Sequence, residues 1–178
     1  MYFCRINLQF RIKMKKFFPI VLLVMLACQI ATAQKLVKDS RDKFTQNHVK
    51  VSSKEKIWRN TVLGGLIDVS AQSNGGTITL WLDIHVSDVF GIIEGDLLYI
   101  SLNNGGSVAL KCVSGTVARH GENLWHGKVG YKLEQGDIDA LTHAGATGIR
   151  IHTVDGYIEK NIKEKHQFVI GNCLKLVI

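Results

Sequence analysis

Between Thr77 and Val86 every second residue is apolar, with Ile78, Leu80, Leu82, Ile84 and Val86 alternating against Thr77, Thr79, Trp81, Asp83 and His85. Side chains change face with a period of two along a strand and of 3.6 along a helix, so this run fits one long, half-buried strand and no other regular element. Such a strand needs partners, and the glycine-rich punctuation around it predicts where they lie. Asp96 to Leu102 and Ser107 to Val113 flank Asn103-Asn104-Gly105-Gly106, whose residues tolerate the positive φ of tight hairpins. Ile149 to Thr153 and Tyr157 to Ile162 flank Val154-Asp155-Gly156, a second antiparallel hairpin. Val62 to Ser70 predicts an opening strand that ends at Ser73-Asn74-Gly75-Gly76, with Gly64-Gly65 marking an irregular start. Leu124 to Leu133 alternates as a further strand.

Two helices complete the pattern. Asp137 to Ala144 predicts one or two turns packing Ile138 and Leu141, with Asp137 and Asp139 capping the start and complementing its dipole. In the tail, Val169, Ile170, Cys173, Leu174 and Val177 recur at three- and four-residue spacing, one apolar stripe that Gly171-Asn172 weakens. The fold class predicted is mainly β: an antiparallel β-sandwich or open barrel with a short helix and a C-terminal helix packed on it. The sole proline is Pro19, so no strand is marked as an edge by proline, and Lys128, Lys132 and Lys160 are the candidates for edge protection.

Location is read from Met14 to Gln34, MKKFFPIVLLVMLACQIATAQ. Lys15 and Lys16 form a positive n-region, Phe17 to Ala27 an apolar h-region and Ala31-Thr32-Ala33 a small-residue cleavage site, so residues 1–33 read as a signal peptide and 1–13 as sequence upstream of the true start. The apolar run falls short of the roughly 20 residues of a spanning helix, which argues against a permanent membrane span. Acylation at Cys28 is the alternative to cleavage after Ala33, although Met25-Leu26-Ala27 fits a lipoprotein site poorly. The reading places the mature chain in the periplasm, the cell envelope or the extracellular space.

Removing the leader changes the charge argument. Five of the 22 Lys and Arg precede Gln34 and all 15 Asp and Glu follow it, which leaves 17 cationic against 15 acidic side chains, a net of +2. A nearly balanced exported surface offers no broad basic face for a phosphate backbone, so nucleic acid is excluded as a partner class. The polar stretch 34–56, with seven Lys or Arg and only scattered apolar residues, is expected to be a flexible linker, and 57–178 a single β-rich domain.

The second hairpin also carries a likeness. Gly148 to Lys165, GIRIHTVDGYIEKNIKEK, together with the strand entry Glu94-Gly95-Asp96-Leu97-Leu98-Tyr99, resembles a family of small exported Bacteroidetes proteins in which a similar DGY segment leads into a last helix and an Ala-Gln cleavage site is common. The resemblance implies an exported, β-rich domain with a C-terminal helix. It brings no assigned activity, and this chain departs from the family pattern at Gly171-Asn172.

Chemistry-bearing residues are sparse in the exported part. Cys112 and Cys173 fall on apolar rows, and either a disulfide in an oxidising compartment or two buried thiols satisfies the pattern. His120, His126, His143 and His152 have no metal-ligand spacing, and no nucleophile elbow or phosphate cradle occurs, so neither a metal nor a cofactor is expected. One constellation stands out: Trp81, Asp83 and His85 share the polar row of the clearest strand, an aromatic plate beside a carboxylate and an imidazole. The function read from these residues is an exported, non-catalytic envelope or extracellular interaction module with a protein or glycan partner. The alternatives are a carbohydrate-binding protein using an exposed aromatic face and a small hydrolase.

Overall fold

The structure is a computed structural model that describes residues 34–178 apart from Leu63 and Glu122; the predicted leader, with Cys28 and the cleavage site, lies outside the described residues. Residues 34–178 form one compact unit. The strands are β1 (Leu36–Arg41), β2 (His48–Ser52), β3 (Glu55–Arg59), β4 (Leu66–Asn74), β5 (Thr77–Val86), β6 (Gly91–Ile92), β7 (Leu97–Leu102), β8 (Ser107–Ser114), β9 (Thr116–Val117), β10 (Arg119–His120), β11 (Trp125–Leu133), β12 (Ala146–Thr153) and β13 (Gly156–Asn161). Helix α1 (Gln135–His143) separates β11 from β12, and a 3-10 turn (Glu164–His166) leads into helix α2 (Val169–Lys175).

Eleven strands make a single antiparallel sheet in the order β1-β2-β4-β5-β11-β8-β7-β12-β13, with β3 also on β4 and β10 on β11, while β6 and β9 pair separately. The protein is therefore β-rich, built on one large sheet and not on two stacked ones. Antiparallel partners that lie opposite share a face, so β4, β5 and β11 stack into rows: Ile67 with Ile84, Val69 with Leu82 and Val129, Ala71 with Leu80 and Tyr131. Leu98, Leu110 and Ile151 continue the same face on the far half of the sheet. All of these side chains belong to one buried cluster, so the sheet curls until its two halves share a core. Off the main path, β3 approaches β13 through side chains, with Lys160 Nζ 4.8 Å from the centre of the Trp58 ring and no ladder between the two strands among the described residues.

Both hairpins form where the turns predict them. Gly105 (φ +84°) and Gly156 (φ +138°) occupy backbone that a side chain would strain. Helix α1 begins at Gln135 and not at Asp137, with Glu134 at the N-cap; the Asp137 carboxylate accepts the Glu134 backbone N–H at 3.0 Å in a capping box, whereas Asp139 takes no part in the cap and accepts from Gln135 Nε2 at 2.9 Å. The tail stripe also holds, since Ile170, Cys173, Leu174 and Val177 are buried.

Three expectations are corrected. The stretch 34–56 carries β1, β2 and the start of β3 instead of a linker; Val49 and Ser52 are buried, and the Ser52 hydroxyl accepts the Ala71 N–H at 2.8 Å. Propensity misleads here because the segment borrows its core, laying single apolar side chains on a sheet that later residues build. The opening strand begins at Leu66 and not at Val62, since the preceding residues turn so that Asn60 N–H donates to Gly65 C=O at 2.7 Å. Lys128 and Lys132 guard no edge, because β11 lies between β5 and β8; the sheet ends are the exposed β1, with Lys38 and Arg41, and β13, with Lys160.

Candidate functional site

The outer face of β4, β5 and β11 carries the predicted constellation. Opposite partners form three polar rows: Ser70 with Trp81 and Gly130, Asp68 with Asp83 and Lys128, Leu66 with His85 and His126. Trp81, Asp83 and His85 do stand side by side, as the period of two requires. Their neighbours change what they can do. The indole of Trp81 rests on the Gly130 backbone, where a Cβ would come within 3.0 Å of the ring, and Lys128 Nζ lies over it 4.6 Å from the centroid. A cation occupies the plate.

Asp83 is equally committed. Its carboxylate accepts a hydrogen bond from Lys54 Nζ, a second oxygen lies 3.2 Å from His85 Nε2, and the side chain is only 22% exposed. Burial alone would raise its pKa, but Lys54 and then His85 outweigh it and hold the carboxyl below its usual range. Asp68, its cross-strand neighbour, goes the other way: burial and the adjacent Asp83 charge raise it against the pull of Lys56. A cleft of about 610 Å³ opens beside Asp83, walled by Thr116, Arg119, His126 and Lys128. His85 and His126 face each other at 5.9 Å between ring centroids.

The remaining sequence candidates are dispersed. His120 packs edge-on against Trp125 at 5.0 Å, His143 Nδ1 lies 2.7 Å from the Asp139 carbonyl oxygen within its own helix, and His152 sits on β12. Among the described residues no group of three or more His, Cys, Asp or Glu is placed to hold a metal ion. Cys112 and Cys173 are separate buried thiols, so the structure takes the unbridged alternative. Burial raises both, pushing Cys173 up to about 11 against the lowering effect of the Ser52 hydroxyl. No helix among the described residues is long and apolar enough to cross a membrane.

A second face was missed in the sequence. On the outer side of β7, β12 and β13, Tyr99 lies opposite Arg150, Arg150 opposite Glu159, and His152 opposite Tyr157. Tyr99 meets His152 at 5.4 Å between ring centroids, Arg150 lies 4.9 Å from the centre of the Tyr157 ring, and Arg150 donates to Glu159 at 2.8 Å. The two tyrosines are 37% and 62% exposed, unlike the covered Trp81. A cleft of about 480 Å³ adjoins Tyr99, bounded by Ser101, Thr147, Arg150 and Asn161. The signal was present in part: Tyr99 occupies the outward row of its strand, and the Asp-Gly hairpin sets Arg150 against Glu159. That β7 lies beside β12 is a long-range pairing no local pattern encodes.

No protein-family model matches this chain, and neither does any curated protein or solved structure, so its function rests on the chemistry of these two faces.

Proposed function

We propose that this protein is an exported, non-catalytic interaction module that engages its partner through the outer face of β7, β12 and β13. The observation that carries the reading is the exposed pairing of Tyr99 and Tyr157 with Arg150 and His152 across three hydrogen-bonded strands. Tyr and Arg are the residues that binding hot spots favour, because they present large rigid contact area together with hydrogen-bonding tips. Strands hold them in register, so little conformational freedom is lost on contact. The commitment of Asp83 to Lys54 and His85, and of both thiols to the interior, supports a binding role over a hydrolytic one. Export follows from the leader sequence.

A glycan-binding version of this reading is favoured by one feature, the cleft beside Tyr99 whose Ser101, Thr147 and Asn161 offer hydroxyl and amide groups next to an aromatic ring. It moves the aromatic face from Trp81 to Tyr99.

The test is recovery of the protein from its native envelope with and without Tyr99→Ser and Tyr157→Ser. The parent should retain a specific protein or glycan that the double variant loses, and N-terminal sequencing of the exported form should begin at Gln34. Identical recovery from both proteins refutes the face, and an uncleaved cytoplasmic chain refutes export.

A further inference from the structure

A cleft of about 300 Å³ lies between β3 and the 3-10 turn, walled by Lys56, Trp58, Arg59, Lys163, Lys165 and His166. It has four permanent cations, one imidazole and no carboxylate in its lining. None of the four cations belongs to an ion pair among the described residues, although elsewhere in the same unit Lys54, Lys132 and Arg150 each have an acidic partner. Asp68, across the ladder from Lys56, is the acidic group of β4 nearest in register, and Glu55 is engaged by the Ser53 hydroxyl at 2.8 Å.

Clustered like charges repel, and a chain with 17 cationic against 15 acidic side chains after residue 33 has enough carboxylates to spare one for the cleft. Both walls are fixed by backbone hydrogen bonds rather than by the charges themselves. Arg59 and Trp58 are in register with Leu66 and Ile67 of β4. On the other side Ile162 N–H donates to Thr147 C=O at 2.9 Å, His166 N–H to Lys163 C=O at 2.8 Å and Ala146 N–H to Gln167 C=O at 2.8 Å. His166 reports the resulting field, since burial first and then Lys165, Lys56 and Lys163 hold its imidazole below the usual range.

We propose that this cleft is a binding site for a phosphate-type oxyanion, either a free phosphate ester or the phosphate of a lipid headgroup. Arg59 supplies a forked donor and Lys56, Lys163 and Lys165 compact charges, which together match a tetrahedral group with several negative oxygens. The half-buried Trp58, with Lys160 Nζ 4.8 Å from the centre of its ring, forms one wall of the cleft and brings a further cation close to it. The inference does not rest on the Tyr99 face and stands or falls separately.

Inorganic pyrophosphate titrated into the purified protein is the first probe, read by calorimetry and by the rise in Tm that binding to the native state produces. The second probe compares co-sedimentation with phosphatidylglycerol and phosphatidylcholine vesicles. Saturable binding of pyrophosphate is expected for a free ligand, and selective sedimentation with phosphatidylglycerol for a headgroup. In either arm Lys163→Gln with Lys165→Gln should weaken binding by about tenfold, the scale of a lost charge-assisted hydrogen bond. Lys111→Gln with Lys175→Gln removes the same charge from strand β8 and helix α2 and should leave binding within about twofold, as expected where screening dominates. Circular dichroism checks that each variant is folded. Failure of both probes, or equal loss in the two double variants, overturns the site.

Discussion

Gly171 of α2 lies directly against the main-chain carbonyl oxygen of Leu141 in α1, so closely that a Cβ at position 171 would overlap it. The two helices cross backbone to backbone, and the residue that weakens α2 as an isolated helix is the one that lets it dock. Leu141, Ile170, Cys173 and Leu174 are buried around the crossing.

Gly171→Ala should therefore destabilise the protein by about 2 kcal/mol, the scale of overpacking a fixed core, although alanine is the better helix former by about 1 kcal/mol. Urea denaturation followed by circular dichroism measures the change. A stabilised variant would show that the crossing is loose.

The Asp68–Asp83 pair predicts opposite pH dependences from neighbouring carboxyls. Asp83 is depressed in the fold, so its contribution is present above the unfolded value of about 4 and disappears as pH falls through the lower folded value. Lys54→Met should cost about 0.5–1 kcal/mol at pH 7 and almost nothing well below pH 4. Asp68 is raised, so its contribution is present below the unfolded value and lost as pH rises through the folded one. Asp68→Asn should accordingly stabilise at pH 7 and give no gain in acid. Chemical denaturation at several pH values checks both signs.

Tyr131 is fully buried between rows of apolar side chains, and its hydroxyl has no hydrogen-bond partner among the described residues. Burial raises its pKa far above the usual phenol value. Tyr131→Phe should leave stability unchanged or higher, whereas removing a bonded hydroxyl typically costs about 1 kcal/mol. A measured loss of that size would reveal a partner the interior supplies.

Cys112 and Cys173 should be silent toward a thiol reagent at pH 8 in the native 34–178 unit, and both should react in denaturant without prior reduction. An aromatic disulfide reagent followed by absorbance counts them. Finding no reactive thiol after unfolding would mean that the two are bridged.

What the chain declares locally, the structure keeps. The alternation of Ile78 to Val86, the Asn-Gly and Asp-Gly turns and the stripe from Ile170 to Val177 each encode their element in residues a few positions apart, because strand period, turn φ and helical spacing are short-range properties. The same alternation placed Trp81, Asp83 and His85 on one face. It could not say that Lys128 and Gly130 would arrive from β11 to cover the indole, that Lys54 would claim the carboxylate, or that 34–56 would find a sheet to join. Those outcomes depend on which strands become neighbours across stretches of chain as long as that from Trp81 to Gly130, and pairing is decided by the shared core and not by any segment alone. Tyr99 beside Arg150, and Arg59 beside Lys165, exist only once the sheet has curled: residue type and period set each side chain's face, and tertiary contact alone set its company.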